Sequence, residues 1–512
     1  MRRIGIDVGG TNTDAVLIED NAVVAAIKTP TSEDVTEGIV HALAELVVAL
    51  GGAAGPLDAV MIGTTHFTNA VVQRRDLTPV AAIRIGLPAS ASLPPFVDWP
   101  EDLAEIARAR VFMIAGGHEY DGRPIVPFDA AAMRQAAKTI AEAGIASVAV
   151  ASVFSPLTAE CELAAAEILA ETCPQVDVTL SHELGRIGLL ERENATLLNA
   201  AIRGLAAKTT RAFEAAIRAS GIEAPLYLTQ NDGTVMRADY AQAYPVYSFA
   251  SGPTNSMRGA AYLSRLDDAM VVDVGGTTSD IGCLRRGFPR EANNVVEIGG
   301  VRTLFRMPDL LSLALGGGTK VATEPLTIGP QSVGYRIGQE ALSFGGGQLT
   351  ASDVAAAAGL VTFAGAAGVP ELDPSLVDAA LPAMHEMLAE GVDRMKTDAT
   401  PLPLIAVGGG AFLVPDAMDG IAEVVRVPHA EVANAVGAAI AQISGEIDQV
   451  FSGMGREAAI AEATRLAEGR AVEAGAEAAT LDLVEVEDLP IAYLPGEARR
   501  VRVRVVGEAA TT

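Results

Sequence analysis

The chain has 512 residues, of which 50% are hydrophobic and 20% are charged, so it is too long for a single core. Its formal net charge is −27. An acidic surface argues against sequence-independent binding to nucleic acid and against binding to anionic membranes, because both need basic surface. We therefore expect neither a nucleic acid nor a membrane as a partner.

The three cysteines, Cys161, Cys173 and Cys283, form neither a disulfide framework nor a metal-binding pattern, which predicts reduced thiols. The N-terminus runs directly into a structured motif, so no signal peptide is expected. The longest apolar stretches, such as residues 355–367, are shorter than a membrane span. These features predict a cytoplasmic protein.

A glycine-rich phrase, DVGGTNTD, occupies residues 7–14 between apolar runs at 4–6 and 15–18. A strand, a Gly-Gly turn and a second strand predict a β-hairpin whose turn exposes backbone N–H groups. Glycines let such a backbone approach a phosphate closely, and the following hydroxyls can donate to phosphate oxygens. The aspartate at the end of the strand can hold a metal-bound water.

Alternating strand and helix patterns follow the first phrase and predict a mixed sheet covered by helices. A strand at 59–62 leads into the hydroxyl-rich loop 63–69, and open α/β sheets place ligands at such strand ends. His66 in this loop is a candidate catalytic group, although a hydrogen-bonded loop histidine explains it as well. Four prolines make residues 86–117 an expected loop region. The polar residues 192, 194 and 199 of a long helix at 191–220 are interpreted as a solvated face.

The phrase recurs as DVGGTTSD at residues 273–280, and the two copies begin 266 residues apart. A polar loop at 248–256 precedes it, with a helix expected to start near Met257, and glycine runs follow at 316–318 and 408–410. Neither copy fits the P-loop pattern or the dinucleotide-binding fingerprint. Agreement between the copies favours one functional element per half of the chain over two ordinary turns.

The composition changes beyond about residue 450. A helical segment at 455–474 and half-exposed strands at 481–486 and 499–506 predict a small α+β appendage. The predicted domains are therefore an N-terminal lobe at 1–182, a second lobe at 183–450 and the appendage at 451–512.

The paired phrases resemble the phosphate loops of the actin, sugar-kinase and Hsp70 superfamily, in which ATP lies between two similar α/β lobes. More specifically, the chain resembles the A-subunit side of the hydantoinase/oxoprolinase family. The phrases that carry this resemblance are residues 5–14, 63–65 with 68–69, 192–196, 251–253, 273–280 and 316–318. The resemblance implies an α/β fold with two actin-like (ribonuclease H-like) ATPase lobes around a nucleotide cleft. Thr254 and Asn255 depart from the longer members, so the chain looks like a short subgroup.

The family resemblance implies ATP-dependent opening of a cyclic amide, such as a hydantoin or 5-oxoproline, through phosphorylation of the carbonyl oxygen. It also implies a second hydantoinase-type subunit, or a homo-oligomer, as partner. A small-molecule kinase and a non-catalytic ATP-dependent switch are the alternatives, because both would use the same cleft.

The expected cofactors are ATP and Mg²⁺, with Asp7 and Asp273 holding the metal through water. Asp14, Asp280 and His66 are candidates for the general base, and the sequence does not choose among them. Asp14 and Asp280 could instead stabilise their hairpins through backbone hydrogen bonds. The residues expected to bind the nucleotide are Gly9, Gly10, Thr11, Asn12, Thr13, Gly275, Gly276, Thr277, Thr278, Gly316, Gly317, Gly318, Gly408, Gly409 and Gly410, the last three against the adenosine.

Overall fold

A computed structural model describes residues 2–9, 12–30, 35–52, 55–184, 187–292, 296–303, 307–492 and 496–510. The strands are β1 (Arg2–Val8), β2 (Asn12–Glu19), β3 (Ala22–Pro30), β4 (Ala59–Thr64), β5 (Val80–Leu87), β6 (Arg108–Ala115), β7 (Ser147–Ser152), β8 (Asp177–Leu180), β9 (Leu226–Thr229), β10 (Val235–Arg237), β11 (Ala269–Val274), β12 (Ser279–Arg285), β13 (Phe288–Pro289), β14 (Val296–Ile298), β15 (Val301–Thr303), β16 (Leu310–Leu313), β17 (Thr319–Thr323), β18 (Leu326–Ser332), β19 (Leu402–Val407), β20 (Ile421–Arg426), β21 (Ile443–Phe451), β22 (Asp482–Pro490) and β23 (Arg499–Gly507). The helices are α1 (Val35–Ala49), α2 (His66–Gln73), α3 (Glu101–Ala107), α4 (Ala130–Glu142), α5 (Glu160–Thr172), α6 (Ser181–Leu184), α7 (Leu189–Ala219), α8 (Ala238–Ala243), α9 (Ser251–Ser264), α10 (Ile337–Glu340), α11 (Ala351–Ala357), α12 (Pro374–Met395), α13 (Ala433–Ala439) and α14 (Arg456–Glu473).

The first lobe is built on a nine-stranded sheet in the order β22-β23-β21-β10-β9-β4-β1-β2-β3. Strands β1, β2 and β3 pair antiparallel, whereas β1, β4 and β9 pair parallel. Both faces of β2 are covered: Val16 and Ile18 pack with α13, and Ala15 and Leu17 pack in the core that includes α1. Burial on both faces explains why β2 reads as a continuous apolar run.

The second lobe repeats this arrangement. Its sheet has the order β13-β12-β11-β19-β20, with β16 also paired to β12. The first three strands pair antiparallel, and β11, β19 and β20 pair parallel, as in the first lobe. Helices α11 and α12 contribute to the core on one face of this sheet, and α9 contributes to the core on the other.

Helices α9 and α13 pack against each other between the two sheets. A Cβ atom on Gly437 would lie 1.9 Å from the backbone oxygen of Asn255, and one on Gly259 would lie 1.8 Å from that of Ala433. Helix α13 approaches β1 equally closely at Gly5, where an added Cβ would lie 2.1 Å from the backbone oxygen of Ala435. Glycine is therefore required at these crossings, since any larger residue would separate the backbones.

A third, four-stranded parallel sheet, β6-β5-β7-β8, has its own core against α4 and α5. The long helix α7 joins it to the first lobe through buried ionic contacts, among them Arg84 with Glu193. The interpretation of residues 192, 194 and 199 as a solvated face is wrong, because all three side chains are buried in this junction. The segment 86–117, expected to be loop-rich, is irregular only as far as Pro100, since α3 and β6 follow.

The C-terminal segment contains the predicted helix and two strands, but these elements extend the first lobe. Strand β23 pairs with β21, and β22 forms the edge of the nine-stranded sheet. Every fourth residue of α14 from Ala459 to Ala471 is a buried alanine, and the helix packs closely on β21 at Gly445. Strand pairing thus crosses the predicted boundaries at 182/183 and 450/451, because β9, β10, β21, β22 and β23 join the N-terminal sheet.

No helix within the described ranges combines the length and apolar character that a membrane crossing requires.

Candidate functional site

The two glycine-rich phrases form equivalent hairpins, as the sequence predicts. Asp7 faces Asp14 across the β1–β2 ladder, and Asp273 faces Asp280 across the β11–β12 ladder. The turns also match: Gly9 N–H donates to the Asn12 carbonyl at 3.0 Å, and Gly275 N–H to the Thr278 carbonyl at 2.9 Å. Gly10 and Thr11, expected to bind phosphate, lie outside the described residues.

Two consecutive residues of α9 connect the hairpins. Asn255 Nδ2 donates to Asp7 Oδ1 at 3.5 Å and to Thr229 Oγ1 at 3.2 Å. The hydroxyl of Ser256 donates to Asp273 Oδ2. From α13, Asn434 Nδ2 donates to Asp7 Oδ2 at 2.8 Å. The first aspartate of each hairpin is therefore held at one place between the lobes.

The four hairpin aspartates form a cluster of carboxylates with perturbed acidity. Burial, together with the nearby charge of Asp14, raises the pKa of Asp7 to about 7 against the opposing effect of the two asparagine hydrogen bonds. Burial likewise raises the pKa of Asp280 to about 6, and it raises the pKa values of Asp14 and Asp273. Because buried like charges disfavour ionisation, this cluster is a place where a cation would be stabilised.

Lys28 is the cation that accompanies this cluster. It lies opposite Asp14 in the β2–β3 ladder, and its Nζ donates to both Asp14 carboxylate oxygens at 2.8 Å. The same Nζ donates to the carbonyl of Glu431 at 2.9 Å, on the segment that leads into α13. Its charge also lowers the pKa of Asp273 against the effect of burial. Lys28 thus connects the first hairpin electrostatically to the second.

The other glycine runs support the second hairpin. Gly317 N–H donates to the Gly275 carbonyl at 2.9 Å, and Gly318 N–H to the Gly276 carbonyl at 2.7 Å. A Cβ on Gly316 would lie 2.6 Å from the backbone nitrogen of Thr277, which explains the need for glycine there. Thr277 and Thr278 are left exposed at the tip of the turn, whereas Thr13 in the first hairpin is buried.

The run 408–410 packs against the end of β11. Gly410 N–H donates to the Val274 carbonyl at 2.7 Å, and a Cβ on Gly408 would lie 2.2 Å from Asp273 Oδ1. Gly409 is exposed, and a Cβ there would lie 3.6 Å from Cε of Lys28. A short 3₁₀ turn, not a full helix, follows this run. The glycines therefore form a bare backbone surface beside the Asp273–Lys28 region.

Three polar loops meet next to the first hairpin. Strand β4 ends at Thr64, opposite Val8, and His66 begins α2 with its N–H donating to Thr64 Oγ1 at 3.1 Å. Thr254 Oγ1 donates to the carbonyl of Asn231 at 3.1 Å, which joins the loop after β9 to the start of α9. The three polar segments are thus neighbours at this end of the first hairpin.

Several site residues were missed by reasoning from the sequence: Lys28, Asn255, Ser256 and Asn434. Helix α9 begins at Ser251, six residues before the expected start at Met257, because proline is tolerated in a first helical turn. That earlier start places Asn255 and Ser256 on the helix. The departure from longer family members at Thr254 and Asn255 was the available signal.

The hairpin carboxylates suit Mg²⁺ if phosphates and waters supply the remaining ligands. In the described part of the chain, no group of three or more His, Cys, Asp or Glu side chains could hold a metal ion. Mg²⁺ at nucleotide sites needs only one or two carboxylates, because phosphates and waters supply the other ligands. Asp7 and Asp273 fit that donor set.

The duplicated strand order and facing hairpins define the actin-like ATPase fold that the sequence predicts. Two sequence profiles match the chain: "hydantoinase/oxoprolinase N-terminal region" over residues 3–173 and "hydantoinase/oxoprolinase" over residues 192–395. The chain belongs to the hydantoinase/oxoprolinase family, and the resemblance noted from the sequence is confirmed.

Two curated relatives are similar along most of the chain. An uncharacterised protein of Methanocaldococcus jannaschii is 25% identical over 427 residues, which are 77% of this chain and 62% of that protein. The caprolactamase subunit alpha of Pseudomonas jessenii is 26% identical over 394 residues, 70% of this chain and 54% of that subunit. The matches thus span a little over half the length of these relatives.

Solved structures confirm the fold. The ATP-dependent caprolactamase from Pseudomonas jessenii aligns with a TM-score of 0.78 at 18% identity, over 99% of this chain and 87% of that chain. A nucleotide-free acetone carboxylase aligns with a TM-score of 0.69 at 17% identity, over 100% of this chain and 89% of that chain.

Proposed function

We propose that this chain binds ATP between its two hairpins and uses it to open a cyclic amide, such as a lactam or hydantoin ring. The observation that carries the proposal is that consecutive residues of one helix, Asn255 and Ser256, hydrogen-bond Asp7 and Asp273 of the two hairpins. A nucleotide gripped from both lobes needs this arrangement. Family membership and the caprolactamase relative support the choice of substrate.

The reaction needs activation because amide resonance makes the ring carbonyl a poor electrophile. ATP would supply a phosphoryl group to the carbonyl oxygen, with Mg²⁺ neutralising phosphate charge. Water then adds to the carbonyl carbon and the ring C–N bond breaks, which leaves an acyl phosphate that a second water hydrolyses to a carboxylate and phosphate. The balanced reaction consumes a cyclic amide, ATP and two waters, and it yields a ring-opened acid, ADP and phosphate.

The residues of the two hairpins have distinct proposed roles. Backbone N–H groups of the turns, with Asn12 and the hydroxyls of Thr277 and Thr278, would hold the phosphates. Asp7 and Asp273 would hold the hydrated metal, and Lys28 would neutralise charge near the transferred group. The bare backbone at 408–410 would pack against the adenosine.

The substrate would lie against the polar loops that follow β4, β9 and the start of α9. Of the three candidate bases, Asp14 has both oxygens bound to Lys28, which favours a role in positioning that lysine. His66 and Asp280 are the remaining candidates. His66 is on the substrate side, at the end of β4, which makes it the first to test.

Because the relative is named caprolactamase subunit alpha, we propose that this chain also works with a second subunit.

The test incubates the purified chain with ATP, Mg²⁺ and a panel of cyclic amides, alone and with the protein encoded beside it. A ring-opened acid with ADP and phosphate supports the proposal. A stable phosphoester would indicate a kinase, and ATP turnover unaffected by every cyclic amide would indicate a switch. The Asp273→Asn variant is the control for contaminating ATPase.

A further inference from the structure

A second groove lies at the ends of the hairpins opposite to the phosphate turns. The β2–β3 turn at Asn21 forms one side, and the β12–β13 turn at Arg286 and Gly287 forms another. The C-terminal end of α9 and His429 complete the groove, whose volume is about 680 Å³. This volume is in the range that holds a small metabolite. Because the two hairpins run between the cleft and this groove, the two sites are separate.

The charge of this groove is opposite to that of the protein. The chain has 64 acidic and 37 basic residues, yet the groove is lined by Arg258, Arg265 and Arg286, with Asp267 as its single acid among the described lining residues. Arg265 and Arg286 are exposed, and neither makes a salt bridge to a carboxylate in the described ranges. An anion in this groove would relieve the repulsion among its arginines.

Among the residues that the structure describes, two buried polar atoms in the groove wall have no hydrogen-bond partner. One is the hydroxyl of Tyr262, whose pKa is raised by burial and lowered by the charge of Arg265. The other is Nε of Arg258; this guanidinium is fixed by a 2.6 Å hydrogen bond from Nη1 to the Gly287 carbonyl and by stacking on Phe288 at 3.8 Å. A buried donor without a partner is destabilising, and an acceptor oxygen on a ligand would supply the missing hydrogen bond.

We propose that this groove binds a small anion with at least two acidic groups, either phosphates or carboxylates, in addition to the nucleotide in the cleft. Arg265 and Arg286 supply the charge, and the Tyr262 hydroxyl supplies a directional donor. Asn21 and Val23 come from the first lobe and Arg286 and His429 from the second, so the bound anion touches both lobes.

The test titrates pyrophosphate and, separately, citrate into the full chain by calorimetry at low ionic strength, without Mg²⁺ so that the probes are not chelated. A probe that enters the cleft is unaffected by changes in the groove, so the groove is identified by comparison with arginine variants. We expect binding at one site per chain to weaken about 10-fold or more in Arg265→Ala/Arg286→Ala through loss of charge-assisted hydrogen bonds. Arg211→Ala, at an exposed arginine on α7, should bind as the unaltered chain does.

Binding of only one probe supports the site and identifies its acidic group as phosphate or carboxylate. Tyr262→Phe should weaken binding several-fold without loss of thermal stability, and Arg286→Gln serves if the double variant is unfolded. The proposal is overturned if neither probe binds, or if the arginine variants bind both probes as tightly as the unaltered chain does.

Discussion

The two hairpins have the same backbone but different surroundings. Both have an aspartate pair in register, the same hydrogen bond across the turn and the same order of neighbouring strands. Asp7 accepts hydrogen bonds from two asparagine amides, whereas Asp273 accepts one from a serine hydroxyl. The duplicated motif therefore provides two similar turns, and residues outside it make the two halves of the cleft different.

The second aspartates differ more strongly. Asp14 forms an ion pair with Lys28, while Asp280 accepts a hydrogen bond from the exposed Ser312. A cation thus stands beside the first hairpin, and a neutral hydroxyl occupies the corresponding place beside the second. We infer that the first hairpin neutralises charge during phosphoryl transfer and that the second mainly positions the nucleotide.

The largest expected effect comes from removing the charge of either first aspartate. Asp7→Asn and Asp273→Asn should each lower the kcat for ATP turnover about 10³-fold, ~4 kcal/mol, because each would hold the metal. Circular dichroism should show an intact fold, since asparagine fits the same space. If either variant retains the full rate, its hairpin has no part in holding the metal.

The next prediction concerns the stability that close packing of α9 against α13 provides, since both helices donate hydrogen bonds to the first aspartates. Gly437→Ala would force a Cβ within 1.9 Å of the Asn255 carbonyl, and we expect a loss of about 3 kcal/mol in the free energy of unfolding by urea. Gly469→Ala in α14 is the matched control, because a Cβ there meets nothing within 4 Å. That control should be neutral or stabilising by up to ~1 kcal/mol. Equal stability of the two variants would contradict the close helix crossing.

Lys28→Met tests the difference between the second aspartates. We expect ATP turnover to fall roughly 30-fold, ~2 kcal/mol, from loss of a charge beside the phosphates. Ser312→Ala in the other lobe should change the rate less than 3-fold, about 0.6 kcal/mol. Lys138→Met, at an exposed lysine on α4, controls for loss of surface charge.

The Lys28 experiment also separates catalysis from support of the fold. Lys28→Met leaves Asp14 buried without its partner, so the melting temperature should fall. Adding Asp14→Asn should restore much of the stability but not the rate. Recovery of both would show that Lys28 only compensates for Asp14.

Replacing the donors to the first aspartates should have a smaller effect than replacing the aspartates themselves. Asn434→Ala should lower kcat about 10-fold, ~1.4 kcal/mol, because it removes one of two amides that orient Asp7. Ser256→Ala removes the hydroxyl that donates to Asp273 and should cost at least as much. Steady-state ATPase assays at saturating ATP compare the two, and a larger loss in Asn434→Ala would reverse the expected order.

The hairpins could be predicted from the sequence because their signals are local. Apolar runs flank a Gly-Gly turn in both copies, and the same kind of local signal predicted the strand at 59–62, which is β4. The aspartates at the strand ends followed directly from those hairpins.

The rest of the site depends on contacts between distant parts of the chain. Asn434 reaches Asp7 only because α13 packs closely on β1, and Lys28 reaches Glu431 across more than 400 residues. Gly252 and Pro253 read as loop residues, although they lie in the first turn of α9. The C-terminal strands read as a separate unit because edge pairing with a remote sheet leaves no local pattern.

The most direct test of the central claim is a crystal structure with Mg²⁺ and a non-hydrolysable ATP analogue. We expect one nucleotide per chain, with its phosphates contacting the turns at 9–12 and 275–278 and the metal between Asp7 and Asp273. A nucleotide held by one hairpin alone, or bound away from both, would contradict the account.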